Sequence, residues 1–314
     1  MARDKKVKSR AYRSLAVTKM ARQEARAAYL FLIPAFVGLT VLTYGPLLAV
    51  FGISFLNWGR VPRFTADSFV GLKNYIYLFT ADSRFIDSIK VTAFFTLIAV
   101  AGSLIYSLAV AMLLNRKIPA RGFFRAIFYI PYILPAVAVY MGWSWLYQPE
   151  YGLFNYILTL LNVNKVQFIN DPRLVVPSLA LIAVWLSGNL IVIFLAGLQN
   201  VPRVYYEAAE IDGANYWQRF FNVTVPGMTP IIFYNLLMAI VTNMQVVTPA
   251  LALTQGGPGN STRFMTYLMY WEGFQSGRLS SAAAISFVFF IIVAIFTALI
   301  FVTSREWVFY EGDK

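Results

Sequence analysis

The sequence predicts an all-α integral membrane protein with six transmembrane helices and both termini in the cytoplasm, and three observations carry that expectation. Of 314 residues, 59% are hydrophobic and only 13% charged, too little charge to cover the surface of a soluble domain of this length. The apolar residues fall in runs of about twenty or more instead of recurring at the spacing of one helical face. The basic residues gather on one side of those runs, as lysine and arginine do on the cytoplasmic side of a membrane.

Residues 1–26 hold nine of the 26 Lys and Arg side chains. No apolar core separates these charges and no small-residue cleavage site precedes the first span, so the stretch is expected to be a cytosolic tail, not a signal peptide. Beside a span, its charge is expected to meet anionic lipid of the inner leaflet, not nucleic acid. The transmembrane domain is expected over 27–303. Its first span covers about 27–56, with Pro34 and Pro46 as kinks, and the second about 91–114. The third, about 123–145, contains Pro131 and Pro135, and the fourth covers about 174–198. The fifth covers about 230–253 and the sixth about 279–302. Each has about 23 residues or more, and roughly 20 at a rise of 1.5 Å cross a hydrocarbon core. A cytoplasmic segment, 304–314, follows.

Orientation comes from the loops. With the N-terminus inside, the basic residues of the inner segments are nine in the tail, four in 116–125, two in 200–229 and two at the C-terminus, against eight in the outer loops. The loop 200–229 stands out, because Glu207, Glu210 and Asp212 outnumber Arg203 and Arg219. It is the one inner loop of net negative charge, as if shaped for a basic partner. Within it, 204–212 is expected to form a short amphipathic helix after Pro202. Gly213 permits a tight turn, and a second short helix over 214–222 is expected to end before Pro226. A surface helix capped by its own acids and a docking element fit these residues equally.

The chain has no cysteine and no histidine, which removes disulfides, thiolate sites, and histidine catalysis or proton relay. It carries no G-x-x-x-x-G-K-[ST], so nucleotide phosphates are not cradled by that route. The sequence Gly256-Gly257-Pro258-Gly259 is expected to be a turn. The expected span cores lack Asp, Glu, Lys and Arg, which argues against proton coupling and against a charged cargo. They do carry uncharged polar and aromatic groups. Tyr132 lies on the third span, Trp185, Ser187 and Asn189 on the fourth, and Asn243 and Gln245 on the fifth. Amides and hydroxyls beside aromatic faces suit the hydroxyls and C–H face of a sugar. The same residues also serve as bridges between helices and as interfacial belts. The cluster 243–248 near Pro249 is expected to interrupt its helix beside a cavity.

The stretch Glu207-Ala208-Ala209-x-x-x-Gly213, sharpened by Asp212-Gly213-Ala214 and closed by Pro226, resembles the EAA loop of bacterial ABC-importer permease subunits. Phe124-Arg125-x-x-Phe128-Tyr129-x-Pro131-Tyr132-x-x-Pro135, Leu198-Gln199-x-x-Pro202 and Leu253-Thr254-x-Gly256-Gly257-Pro258 are similar to the sugar-uptake branch, maltose and multiple-sugar types included. The resemblance covers about 27–305. It implies the type I ABC-importer permease fold and a transport subunit that is not itself an enzyme. Glu207, Ala208, Ala209, Asp212 and Gly213 would then form a coupling helix seated on a cytosolic ATPase.

The implied partners are a second permease subunit, two ATPase subunits and an extracytoplasmic solute-binding protein, in a bacterial cytoplasmic membrane. This chain would bind no cofactor of its own, because ATP and Mg²⁺ would be used by the ATPase. Similarity to maltose-type permeases places Tyr132, Asn243 and the region 185–189 at sugar contacts. Neighbouring polar contact positions appear here as Ala136, Ala239 and Val246, so maltose itself is not implied. An ion-driven secondary sugar carrier and an importer of glycerol-phosphate-type solutes are the alternatives.

Overall fold

The computed structural model describes residues 19–61, 65 and 68–309. The expected basic tail therefore lies outside the described residues as far as residue 18, and the C-terminal segment lies outside them from residue 310. The chain divides into two units after Ile53.

The first unit contains α1 (Lys19–Leu39) and α2 (Gly45–Ile53), joined by the π turn Thr40–Tyr44. Pro34 does not break its helix but lies inside α1. Ahead of Pro46 the chain takes up one extra residue, with the Gly45 N–H bonding back to Thr40 O. That wider turn makes room for a ring and a missing donor that an α-helix accommodates poorly.

The second unit begins with α3 (Lys73–Thr80), α4 (Ser83–Asn115), α5 (Arg121–Ile133), α6 (Ala136–Leu146) and α7 (Leu153–Leu160). It continues with α8 (Val175–Trp185), α9 (Gly188–Asn200), α10 (Arg203–Ile211), α11 (Tyr216–Arg219) and α12 (Val225–Gly227). It closes with α13 (Thr229–Met244), α14 (Met265–Tyr270) and α15 (Leu279–Trp307). No strand occurs among the described residues, and one isolated antiparallel bridge joins Leu56 to Phe69.

Among the described residues, three helices are long and apolar enough to cross a membrane, namely Arg22–Ile53, α4 and α15. Six spans result if each of three bent pairs counts as one. The third and fourth expected spans are therefore not straight rods. α5 meets α6 at 101° and α8 meets α9 at 49°. At the first bend, Pro135 forces Leu134 into an extended conformation, ψ 146°, because its ring clashes with a helical predecessor. The fifth expected span is shorter than its apolar run. α13 stops at Met244, and a π turn, Ala250–Thr254, resumes beyond Pro249. Pro226 does not stop its helix either. A π turn, Phe220–Thr224, precedes it, and the chain bends by 71° into α13.

α4 is the axis of this unit, with α8, α9 and α13 packed along it. Its buried Ser88, Thr92, Thr96, Ala99, Ser103, Ser107 and Ala111 recur every three or four residues, which lines them up as one seam of small side chains. In lipid there is no aqueous phase to drive helices together, so close backbone approach and hydroxyl bonds across the interface take over. Ser107 Oγ meets Ser187 Oγ at 2.9 Å, and Thr92 Oγ1 accepts the Met265 N–H at 2.9 Å. Large side chains fill the space on either side of the seam. Phe95, Tyr147, Leu179 and Phe264 pack in one cluster, and Leu114, Phe194, Leu198 and Met228 pack in another.

Candidate functional site

Two of the bends and the end of α13 face one another. Between them lies a cavity of about 430 Å³, closed along one side by Phe95 and Ser103 of α4. Of the residues expected along the substrate pathway, Tyr132, Ser187, Asn189, Asn243 and Gln245 line it. Trp185 does not, because its ring packs edge-on against Trp143 at 5.6 Å within the core. Ala136, Ala239 and Val246 line the cavity as well, so its wall is apolar at those three positions. No Asp, Glu, Lys or Arg is among the lining residues.

The polar groups differ in how free they are. Ser187 is 6% exposed, and its hydroxyl is bonded to both Val184 O and Ser107, so it serves the helix break more than the cavity. Asn243 donates to Ala239 O one turn back at 2.8 Å, which fixes its amide and leaves Oδ1 for an incoming hydroxyl. The Val246 carbonyl, released where α13 breaks, is met by the Thr266 hydroxyl. An irregular backbone at membrane depth persists where such partners or a cavity satisfy it.

Gly188 holds the two bent pairs together. A methyl group there would lie 2.8 Å from Phe128 O and 3.2 Å from Tyr129 Cα. Both are backbone atoms of α5 and cannot step aside. Gly188→Ala is therefore expected to destabilise the fold by about 1–3 kcal/mol. The measurement is the midpoint of thermal unfolding in detergent, and an unchanged midpoint would contradict the close approach.

At the other end of α9, the acidic segment forms α10 and then turns back on itself. Gly213 adopts φ +73°. The Ala214 and Gly213 N–H groups return to Ala209 O and Glu210 O, a pairing that closes a helix only through a left-handed residue. Asn215 and Gln218 cap each other's backbone at the start of α11. The Tyr206 hydroxyl and Thr224 Oγ1, 2.9 Å apart, tie the outgoing leg to the return leg. The Glu207 side chain has no hydrogen bond or ion pair among the described residues, whereas Glu210 lies 3.7 Å from Arg219. Ile211, at the tip, is 87% exposed, more than any other large apolar side chain described in this unit. Behind α10 is a hollow of about 660 Å³, lined in part by Ala208, Ala209, Asp212 and Pro226. The hairpin thus carries an exposed acid and an 87% exposed isoleucine side by side near its tip.

One charged cluster has no counterpart among the expected site residues. Asp82 caps α4 and grips Arg84 through both oxygens, at 2.8 and 2.7 Å. Glu272, fully buried, lies 3.2 Å from Arg84 and 2.6 Å from Arg278. The Arg84 guanidinium also sits 5.7 Å over the Trp271 ring. Burial alone would raise the Asp82 carboxyl, but the hydrogen bonds and charge of Arg84, with Arg278 behind, hold it below the usual carboxylate range. The sequence signal is an acid six residues before Arg278 in a loop that otherwise lacks acids, and only the fold brings Arg84 to it.

Residues 102–305 match the family described as binding-protein-dependent transport system inner membrane component. The chain is 34% identical to a probable ABC transporter permease, YesP, of Bacillus subtilis, over 93% of this chain and 95% of that one. It is 32% identical to the trehalose/maltose transport system permease MalF of Thermococcus litoralis, over 92% and 97%. It is 33% identical to the multiple sugar-binding transport system permease MsmF of Streptococcus mutans, over 88% and 94%. In three dimensions it is similar to a chain of a bacterial ABC transporter involved in the import of the acidic polysaccharide alginate. The TM-score is 0.80 and the identity 20%, over 92% of this chain and 99% of that chain.

Proposed function

Because the chain belongs to the family of binding-protein-dependent transport system inner membrane components, we propose that it forms half of the translocation pathway of an ATP-driven importer whose cargo is a neutral sugar or short oligosaccharide. A second permease subunit supplies the other half, in a bacterial cytoplasmic membrane with both termini inside. An extracytoplasmic solute-binding protein delivers the sugar. Two cytosolic ATPase subunits bind ATP and Mg²⁺, and Glu207, Ala208, Ala209, Asp212 and Gly213 form this chain's contact with one of them.

The uncharged cavity carries the reading. Its amides and hydroxyls, from Asn189, Asn243, Gln245 and Thr248, alternate with the apolar walls of Tyr132, Tyr140 and Leu186. That mixture suits a ring with hydroxyls on its rim and C–H groups on its faces. A glycerol phosphate would need a cation at the wall, and none lines it. A proton-coupled carrier would need an acidic or basic side chain such as Asp, Glu, Lys or His in the pathway, and none is in the lining. Closure of the ATPase pair would push on α10, which continues directly into α9 and through α12 into α13, the helices that bear Asn189 and Asn243. The cavity and the hairpin are then two sites biased by one moving element.

Asn243→Leu tests this. It removes one hydrogen-bonding amide while keeping the same branched skeleton, and a buried partner left unpaired costs about 1–3 kcal/mol. In proteoliposomes holding the complete complex, sugar uptake at low substrate is expected to fall about tenfold while the complex stays assembled. Uptake by this chain alone, driven by an ion gradient without ATP, would overturn the importer reading.

A further inference from the structure

A second surface groove lies where α4 ends. About 490 Å³ in volume, it runs between Ile105, Met112 and Leu113 of α4 and the rings of Tyr216, Trp217 and Phe220. Arg116 stands at its polar end, with its guanidinium 5.9 Å over the Tyr216 ring. Lys117, the next residue, is exposed as well. The groove reaches from Arg116 down to Ile105, about 16 Å along the helix at 1.5 Å per residue. Ile105, 72% exposed, belongs to the apolar length of a helix able to cross a membrane.

We propose that this groove seats one anionic phospholipid, with an acyl chain against Ile105 and Trp217 and its phosphate on Arg116 and Lys117. The inference rests on the cytoplasmic placement of the loop 200–229 given above. The depth of the groove argues for lipid, because a water-soluble subunit does not reach three turns into a hydrocarbon layer. Charge argues for an anionic headgroup, because exposed cations at the membrane surface attract acidic lipids of the inner leaflet. Trp217 and Tyr216, 63% and 45% exposed, are the residue types that settle at the headgroup boundary. α11 is thus an interfacial helix whose aromatic side faces the bilayer. The bound lipid holds the return leg of the coupling hairpin against α4. It therefore steadies the hairpin that the partner ATPase pushes.

The experiment uses the complete complex in nanodiscs of phosphatidylcholine with a fixed fraction of phosphatidylglycerol. Native mass spectrometry counts the retained lipids, with no transport or ATP involved, so failure of the importer reading would leave the result legible. Enrichment of phosphatidylglycerol over phosphatidylcholine is expected. It should fall about fivefold for each charge removed, in Arg116→Gln and then Arg116→Gln/Lys117→Gln. Arg116→Lys keeps the charge and should retain the lipid, which separates binding from folding. Arg173→Gln, a distant exposed cation, should change nothing.

As a second arm, brominated phosphatidylglycerol should quench a fluorescence component that disappears in Trp217→Phe. Equal enrichment in the wild type and the double variant would overturn the proposal. So would the absence of quenching at Trp217, the result expected if the second permease subunit fills the groove.

Discussion

Glu207→Lys is expected to reduce sugar-stimulated ATP hydrolysis by the assembled complex at least tenfold. Glu207 is exposed and unpaired on α10, while its neighbour Glu210 already has Arg219 nearby. The carboxylate is therefore available to a partner. Truncating one side of a desolvated, hydrogen-bonded charge pair at an interface costs about 2–5 kcal/mol, and reversal adds like-charge repulsion. At about 1.4 kcal/mol per factor of ten, even the lower figure exceeds tenfold in affinity. Because the side chain is exposed and makes no hydrogen bond or ion pair among the described residues, the variant should fold and insert normally. Co-purification of the ATPase together with stimulated hydrolysis is the measurement. Normal values for both would remove Glu207 from the contact. Ile211→Asp, at the neighbouring tip, should act in the same direction through lost apolar burial.

Glu272→Leu is expected to have the largest effect on stability. It leaves Arg84 and Arg278 facing a site whose carboxylate is gone, and breaking a buried ion pair costs about 3–5 kcal/mol. The lower end applies, because Asp82 still neutralises Arg84 and the Arg278 side chain is 45% exposed. One Glu272 oxygen is already buried without a hydrogen-bond partner among the described residues. The cluster is therefore imperfectly satisfied in the native state, and a wholly apolar replacement should be tolerated better than half of one. The double variant Glu272→Leu/Arg278→Leu should recover part of the loss in unfolding midpoint. No recovery would mean that the cluster acts through shape and not charge.

Acid should loosen the same cluster in a defined window. The Asp82 carboxyl is held below its ordinary value. Its contribution is fully present above the usual aspartate range, near pH 4. It is lost only as pH falls through the lower native value.

The class of the protein follows from composition and run length alone. Few charges and long apolar runs admit only a helical bundle in lipid, because each span must satisfy its own backbone. The hairpin was legible because its signals are local: an acidic cluster, a glycine for φ > 0, and an Asn–Gln capping pair. The interruption expected near 243–248 is present, since proline and polar residues mark breaks over short distances. Such local signals say nothing of direction. Pro131 and Pro135 stand in the third expected span, but the 101° corner depends on what α5 meets, and Gly188 sets that distance from the facing helix. Trp185 and Asn189 are equally polar-aromatic candidates on paper. Helical phase and the break at Ser187 send one to the core and the other to the cavity.

By itself, then, the sequence determined a membrane-spanning α-helical chain, a short acidic helical hairpin at 204–226 and a set of uncharged polar candidates within the apolar runs. Those depend on composition, on backbone chemistry within a few residues and on motif. Only the tertiary structure decided that the third and fourth apolar runs bend so sharply, that their bends enclose the cavity with the end of α13, and that Glu272 meets an arginine nearly two hundred residues away. Those outcomes rest on contacts between distant segments, where the missing side chain of Gly188 or a seam of small residues on α4 sets how closely two backbones approach.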